Sequence, residues 1–283
     1  MSRFRPGMFT PLVVSWLWLT VPATGADLPA PSKLIEHDLE SPHQRTKNRI
    51  EVLLPDKLEP GRKYRVLYVL PVEAGTTRYW GHAMNEVRTH DLHNRFEVIC
   101  VYPTFSDLPW FADHPEDGKI AQETYLLKSV VPYIDKNFPT TGKAEDRFLV
   151  GFSKSGWGAF SLLLRNPETF ARAAAWDAPL MMSRHGQYGS GPIFGTLDNF
   201  RKYELTKLVA EAKLNSKTPK LIHLGFDNFR EHHEDFEALL QKLKVPHVYR
   251  DGPKRKHRWD SQWLPEAVEL LLKPPEEKAT SGS

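Results

Sequence analysis

Residues 150–170 read VGFSKSGWGAFSLLLRNPETF, and this stretch decides the fold. It joins an apolar, strand-like run to a helical pattern that continues to about residue 165. Ser153 stands at the junction, with Gly151 two residues before it and Ser155 two residues after it. Small residues at those two places let a strand and a helix approach closely around a sharp turn, which is typical of a nucleophile elbow. The sequence therefore predicts a strand, a strained turn that exposes Ser153, and a helix.

The rest of the chain alternates strand-like runs with helical patterns. The predicted strands lie at 33–39, 49–54, 64–70, 97–102, 147–151, 171–176, 220–225 and 247–249, and the predicted helices at 85–94, 121–138, 155–165, 229–243 and 262–272. Pro132 interrupts the longest helical pattern and is expected to kink it. A loop-rich stretch with four glycines follows the strand 171–176. This alternation predicts one α/β domain with a mostly parallel central sheet and helices on both faces.

The first residues form a separate segment. A basic start precedes the apolar run 12–19, and small residues follow. This order is typical of a secretory signal peptide over residues 1–26, because the apolar run is shorter than the ~20 residues of a membrane-spanning helix. We expect cleavage near Ala26 and a secreted or periplasmic protein. Residues 27–273 then form the catalytic domain, and 274–283 a flexible polar tail.

Composition and charge exclude several classes of partner. Hydrophobic residues make up 40% and charged residues 26% of the 283 residues, which is ordinary for a folded globular domain. The formal net charge is +3, and it falls to +1 when Arg3 and Arg5 leave with the signal peptide. So small a charge predicts no nucleic-acid partner and no stable membrane insertion. Cys100 is the single cysteine, and its apolar setting predicts a buried strand residue that forms no intrachain disulfide.

Two serines compete for the role of nucleophile. Ser155 would have Trp157 two residues after it, and tryptophan is far too large for a tight strand–helix turn. A serine that merely caps the helix is another interpretation, but helix capping does not require small residues on both sides. The sequence therefore favours Ser153.

The segment 150–170 resembles the elbow and following helix of the esterase D-like ("putative esterase") family of the α/β-hydrolase superfamily. This family includes S-formylglutathione hydrolases, feruloyl esterases and secreted mycolyltransferases. The resemblance extends more weakly from about residue 49 to residue 272, and Ser155 stands where the family usually has glycine. It implies a single α/β-hydrolase domain that hydrolyses a carboxylic ester with a serine nucleophile.

The base must follow the nucleophile along the chain, since the order in this fold is serine, acid and histidine. Four late histidines lie within predicted strands or on a predicted helix: His223, His247, His232 and His233. His257 lies in a loop after the last predicted strand. Its surroundings, GPKRKHRWDSQW at 252–263, resemble the family's Gly-x-His-x-Trp ending, and we expect His257 to be the base.

Asp227 is the expected acid. It follows the predicted strand 220–225 directly, which is where the resembling family carries its acid. A carboxylate at this place can hold the imidazole in one tautomer and stabilise the imidazolium. Asp177, after the preceding strand, is the strongest rival for the role, while Glu234 and Asp235 lie on the following predicted helix.

Two backbone N–H groups are expected to form an oxyanion hole. The residue after the nucleophile supplies one, which is the N–H of Lys154. The loop after the strand 64–70 reads PVEAG, and its alignment with the family implies that the N–H of Glu73 is the second. The glycine that allows close approach in the family is missing from this loop.

Aromatic residues and charges near the expected site suggest further roles. Trp80, Trp110 and Trp259 are assigned as candidate substrate contacts, with ordinary core packing as the competing interpretation. The basic run KRKHR at 254–258 is expected either to lower the pKa of its histidine and attract an anionic substrate, or to be a solvated surface run.

No metal and no cofactor is expected. The runs HDLH at 90–93 and EHHE at 231–234 contain ligand-type residues, but neither has a known zinc spacing. Both are predicted to be exposed helix faces.

The sequence thus predicts a secreted serine esterase that hydrolyses a small-molecule or polysaccharide-linked ester through an acyl-enzyme. Three further functions stay open: an acyltransferase with the same triad, a peptidase, and a non-catalytic binding protein on a hydrolase scaffold.

Overall fold

The computed structural model describes residues 33–212, 214 and 218–273, together with Met1. The predicted signal peptide and the predicted polar tail lie outside these residues. The chain divides into the units Met1–Pro31 and Ser32–Ser283, and the second unit is described below. No helix among the described residues is long and apolar enough to cross a membrane.

One sheet of eight strands organises the described part of the chain. Its strands are β1 (Ile35–Leu39), β2 (Asn48–Leu53), β3 (Arg65–Val69), β4 (Val98–Pro103), β5 (Arg147–Phe152), β6 (Arg172–Trp176), β7 (Leu221–Phe226) and β8 (His247–Lys254). Their order is β1-β2-β4-β3-β5-β6-β7-β8. The pairs β1–β2 and β2–β4 are antiparallel, and every other pair is parallel. This topology confirms the predicted mostly parallel sheet.

Ten α-helices lie in the described residues. They are α1 (Ala83–Thr89), α2 (Leu92–Arg95), α3 (Gln122–Tyr125), α4 (Val131–Asn137), α5 (Ser153–Arg165), α6 (Gly191–Phe194), α7 (Leu197–Arg201), α8 (Leu205–Glu211), α9 (Arg230–Lys242) and α10 (Leu264–Leu272). A π-helical turn, Leu126–Val130, joins α3 to α4, and Pro132 is the second residue of α4. The irregularity that the sequence predicts near this proline is therefore a π turn. Helices α6, α7 and α8 lie in the stretch that the sequence predicts to be loop.

The core lies on both faces of the sheet, because successive strand residues point to opposite sides. Leu149 and Ala173 share one apolar cluster with residues of α5, α8 and α9. Val150 and Ala174 share the other with residues of α1 and α10. Cys100 is fully buried within β4, as predicted, and burial raises the pKa of its thiol. Helices therefore cover both faces, and the central strands are shielded from water.

The parallel strands β5, β6, β7 and β8 end at the same edge of the sheet. Ser153, Asp177 and Asp227 each follow the last residue of one of these strands, and His257 lies three residues beyond β8. Open α/β sheets bind ligands at this edge. The topology therefore brings the expected catalytic residues to one end of the molecule.

Candidate active site

Ser153 lies at the turn between β5 and α5, in the left-handed region of backbone conformation with φ of 53°. Its N–H donates to the carbonyl oxygen of Asp177 at 3.2 Å, which ties the turn to the end of β6. Gly151 makes this turn possible, because a Cβ atom there would lie 2.5 Å from the carbonyl carbon of Ser155. The geometry is that of a strained strand–turn–helix elbow.

Ser155, the second candidate nucleophile, is fully buried. Its hydroxyl accepts a hydrogen bond from the N–H of Phe152 at 3.1 Å and donates to the carbonyl oxygen of the same residue at 2.9 Å. The Ser155 hydroxyl therefore stabilises the first turn of α5, and Ser155 is not among the residues that line the cavity of Ser153. Ser153 is the serine that borders open space.

His257 contacts a carboxylate through its imidazole. Its Nδ1 atom lies 2.5 Å from Oδ2 of Asp177, and Asp177 is fully buried. A carboxylate accepts only, so Nδ1 donates its proton and Nε2 is left as the proton acceptor of a neutral ring. His257 and Ser153 border the same cavity. At the ends of three strands, a serine and a histidine thus line one cavity, and a buried carboxylate contacts the histidine.

The acid at Nδ1 is Asp177, and the expectation of Asp227 was wrong on this contact. Oδ2 of Asp227 instead accepts a hydrogen bond from the backbone N–H of His257 at 2.9 Å. A β-bulge at Gly225 (φ 66°) shifts the register of β7 immediately before Asp227. The chain after this bulge offers its N–H groups to Asp177 and leaves the Asp227 side chain beside the backbone of the histidine loop.

Asp177 is stabilised as an anion by its partners. Burial alone would raise the pKa of this carboxyl, but hydrogen bonds outweigh it and the pKa is lowered. Oδ1 accepts from the N–H groups of Asn228 and Phe229 at 3.0 and 2.8 Å, and Oδ2 accepts from His257. The carboxylate is therefore charged at neutral pH and suited to hold an imidazolium. Glu234 and Asp235 lie on an exposed face of α9.

Aromatic rings surround the imidazole of His257. Ring centroids lie 5.4 Å away for Trp80, 5.0 Å for Phe152 and 5.8 Å for Phe229. The first two rings meet the imidazole edge to face. These contacts fix the plane of the ring and keep water from most of its surface, since the His257 side chain is only 11% exposed.

The basic run around His257 is partly neutralised by neighbouring acids. Arg258 makes two hydrogen bonds to Asp260, at 2.7 and 3.0 Å. The Nζ atom of Lys254 lies 3.7 Å from Oδ1 of Asp227. Two of the four cations of the run are therefore paired with acids, whereas Arg255 and Lys256 form no ion pair with any described residue.

The two backbone donors expected to form the oxyanion hole, the N–H groups of Lys154 and Glu73, have no acceptor among the described residues, and Lys154 borders the cavity of Ser153. The Glu73 carboxylate accepts hydrogen bonds from the N–H groups of Tyr79 and Trp80 at 2.7 and 3.5 Å. An acidic residue is compatible with an oxyanion hole here, because the charge of Glu73 is engaged by N–H groups of its own loop.

A cavity of about 280 Å³ contains the serine and the imidazole. Its walls are formed by Trp80, Trp110, Ser153, Lys154, Pro179, Tyr188, Asn228, Phe229 and His257. Among the described residues a larger depression, of about 480 Å³, lies beside Arg184 and Lys207, but it contains neither group of the candidate chemistry.

Two of the three tryptophans assigned as substrate contacts border this cavity, Trp80 and Trp110. Trp259 does not; it is fully buried, with its ring centroid 4.9 Å from that of Phe152 and 5.2 Å from that of Trp263. Sequence reasoning missed Tyr188 and Phe229, whose rings meet edge to face at 5.4 Å. Phe229 lies shortly after β7, and this place near a strand end was the available signal, whereas Tyr188 lies in the glycine-rich stretch, far from any strand end.

The family model described as "Putative esterase" matches residues 41–191, which is more than half of the chain. The chain belongs to this family. Two esterases of Mycobacterium tuberculosis, Esterase Rv1288 and Esterase MT1326, are each 28% identical to this family member over 138 residues. That alignment covers 48% of this chain and only 30% of each mycobacterial protein.

Solved structures share the fold of this family member. A ferulic acid esterase superposes with a TM-score of 0.67 at 23% identity, covering 86% of this chain and 98% of that chain. The fluorophosphonate-binding serine hydrolase FphF of Staphylococcus aureus gives 0.66 at 21% identity, covering 86% and 99%. At these identities the likeness shows the fold.

One described cluster of this family member has metal-ligand character, formed by His223, Glu237 and His247. Each of its three residues takes part in a hydrogen bond, although Nε2 of His223 has no hydrogen-bond partner among the described residues. His233 Nε2 accepts the N–H of Ala178 at 2.8 Å, so a neutral His233 carries its proton on Nδ1, 3.3 Å from Nδ1 of His223. His223 then carries its own proton on Nε2, 3.4 Å from Oε2 of Glu237.

A metal bound to Nε2 of His223 would force that proton onto Nδ1, opposite the Nδ1 proton of His233. His247 completes the arrangement, with Nε2 2.5 Å from Oε2 of Glu237 and Nδ1 2.7 Å from the carbonyl oxygen of Val245. We call His247, Glu237, His223 and His233 together the histidine chain. The expectation that both histidine-rich runs are exposed was wrong, because His93 and His233 are each 1% exposed.

Proposed function

We propose that this protein is a secreted serine esterase that hydrolyses a carboxylic ester through an acyl-enzyme. Ser153 is the nucleophile, His257 the general base and acid, and Asp177 the carboxylate that orients it. The observation that carries the proposal is the 2.5 Å contact between His257 Nδ1 and the buried Asp177 beside the strained Ser153. Membership of an esterase family supports the reaction class.

Acylation begins when the Ser153 hydroxyl attacks the ester carbonyl carbon. His257 Nε2 takes the hydroxyl proton as the new C–O bond forms, and Asp177 stabilises the resulting imidazolium. The N–H groups of Lys154 and Glu73 hold the oxygen on which negative charge develops. Collapse of this intermediate breaks the bond to the alcohol, which leaves with the proton of His257.

Deacylation repeats the sequence with water. His257 removes one proton of the water as its oxygen bonds to the acyl carbon, and the second intermediate expels Ser153. The proton returns to the serine oxygen, and the free acid leaves. No cofactor takes part in either step.

The substrate class follows from the cavity and from the predicted leader. A cavity of about 280 Å³ with Trp80, Tyr188 and Phe229 on its walls fits a small or planar acyl group. A secreted enzyme meets such groups as small esters or attached to polysaccharide. The ferulic acid esterase among the structural neighbours accords with that choice.

The first experiment measures hydrolysis of p-nitrophenyl acetate by the full chain, recovered after export, beside Ser153→Ala and Ser155→Ala. We expect activity and fluorophosphonate labelling in the wild type and in Ser155→Ala, if that variant folds, and neither in Ser153→Ala. A wild type that neither hydrolyses the ester nor labels would overturn the proposal and favour a binding protein. The mass of the exported protein tests cleavage near Ala26.

A further inference from the structure

Lys154 carries a side chain whose position the mechanism above does not use. The side chain is half-buried, and its Nζ atom donates a hydrogen bond to the carbonyl oxygen of Val72 at 3.2 Å. No carboxylate among the described residues lies within ion-pair distance of it. The ammonium thus bridges from the first turn of α5 to the loop after β3.

The accepting carbonyl belongs to a particular peptide unit. The C=O of Val72 and the N–H of Glu73 are the two ends of one planar peptide, and this bond is not among the cis bonds of the described chain. In a trans peptide the two groups point in opposite directions. An ammonium that binds the oxygen therefore directs the N–H of Glu73 to the opposite side and strengthens it as a donor by polarisation.

Other hydrogen bonds hold the rest of the loop after β3. The Glu73 carboxylate binds the N–H groups of Tyr79 and Trp80. The N–H of Gly75 donates to the carbonyl oxygen of Phe105 at 2.7 Å. None of these contacts fixes the rotation of the Val72–Glu73 peptide itself. Lys154 is the described side chain that does so.

We infer that the ammonium of Lys154 is a positioning group that orients the Val72–Glu73 peptide as the second oxyanion donor. This inference rests on the proposed esterase function. One residue then serves both halves of the oxyanion hole: its backbone N–H is the first donor, and its side chain sets the direction of the second. Such a tether replaces the glycine that the loop lacks, because it holds a peptide with ordinary side chains in the required orientation.

The test compares Lys154→Met with wild type on p-nitrophenyl acetate. Removal of one oxyanion donor costs roughly 10²–10³-fold in kcat, and a donor that is present but free to rotate retains part of its effect. We therefore expect kcat to fall about 10- to 100-fold in Lys154→Met, with KM nearly unchanged. Lys154→Arg can still donate to the Val72 oxygen, and it should recover most of kcat.

Binding of phenyl trifluoromethyl ketone separates positioning from a loss of structure. The ketone adds the Ser153 oxygen and forms a hemiketal oxyanion, so its inhibition constant should rise in parallel with the fall in kcat for Lys154→Met. Lys128→Met removes an exposed charge on the π turn, and it should change neither quantity.

Three outcomes would overturn the inference: an unchanged kcat, a rise in KM alone, or a lower kcat with unchanged ketone affinity. A rise in KM alone would instead indicate that Lys154 binds the substrate. If Lys154→Met does not fold, the comparison of Lys154→Arg with Lys154→Gln decides the question, since only arginine keeps the cation. An inactive wild type would refute the esterase proposal itself.

Discussion

Asp177 and Asp227 follow neighbouring strands, and the two carboxylates hold different parts of the same histidine. Asp177 accepts the Nδ1 proton of His257, whereas Asp227 accepts the backbone N–H. Only the first contact strengthens when the imidazole becomes positively charged in the transition state. The catalytic rate should therefore depend strongly on the charge of Asp177 and only weakly on that of Asp227, which holds the backbone of the histidine loop.

We expect Asp177→Asn to lower kcat by on the order of 10⁴-fold, the loss seen when an amide replaces the acid of a serine triad. The amide can donate to Nδ1, which would leave the proton on Nε2, where the serine proton must go. Asp227→Asn should retain activity within about tenfold, because an amide oxygen still accepts the N–H of His257. Steady-state hydrolysis of p-nitrophenyl acetate measures both.

Thermal unfolding of both variants controls for lost structure. If Asp227→Asn proved the more damaging of two folded variants, the assignment of the acid to Asp177 would be wrong. Equal losses in both would indicate that the acid is shared.

At the scale of elements, the elbow depends on how closely β5 and α5 approach. A Cβ at residue 151 would lie 2.5 Å from both the carbonyl carbon and the oxygen of Ser155, and neither backbone atom can move without displacing the helix. We expect Gly151→Ala to lower the free energy of unfolding by about 3 kcal/mol or more, at the upper end of overpacking effects. Urea unfolding measures this change.

Gly118→Ala is the matched control, since nothing lies within 4 Å of a Cβ at this exposed residue. Its unfolding free energy should stay within about 0.5 kcal/mol of wild type. If Gly151→Ala left the unfolding free energy unchanged, β5 and α5 would be farther apart than in this structure.

The strands and long helices could be predicted because their apolar patterns are local consequences of burial. All eight strands and helices α5, α9 and α10 lie where alternation and helical spacing put them. Helices α6, α7 and α8 have four, five and seven residues, too short for a clear period. They depend on distant contacts, such as the Asn199 side chain, whose amide donates to the carbonyl oxygen of Asp113.

The candidate site was predictable as far as its residues are set by local sequence. Ser153 follows from its small neighbours, and His257 from its place after the last strand. The carboxylate partner of His257 does not follow from local sequence. The β-bulge at Gly225 redirects the chain after β7, and which aspartate then reaches the imidazole is visible only in three dimensions. The cavity wall at Tyr188 depends likewise on a loop that folds over from a different part of the chain.

At the scale of the whole molecule, the histidine chain connects the far edge of the sheet with the catalytic end. It runs from His247 on β8 through Glu237 and His223 to His233, which binds the N–H of Ala178, the residue after Asp177. Burial lowers the pKa of His233 well below its ordinary value, so its imidazole is neutral and connects Ala178 to His223 through hydrogen bonds. Glu237, between His247 and His223, is the carboxylate of the chain.

Stability toward acid should depend on the carboxylate of Glu237. Contacts with His223, Gln241 and His247 lower the pKa of Glu237 to about 2. A carboxyl whose pKa is lower in the folded than in the unfolded state stabilises the fold above its unfolded value of about 4.3. That contribution is lost as the pH falls through the window between the two values.

We therefore expect the difference in unfolding free energy between wild type and Glu237→Gln to shrink as the pH falls from 6 to 3. The glutamine keeps the size of the side chain but does not titrate, so its stability lacks this component of the pH dependence. Urea unfolding at pH 6, 4.5 and 3 measures it, and Glu231→Gln, at an exposed position of the same helix, should follow the wild-type curve. If the difference between wild type and Glu237→Gln stayed constant over this range, the carboxylate would not be held by its histidines, and the chain would not link the two ends of the molecule.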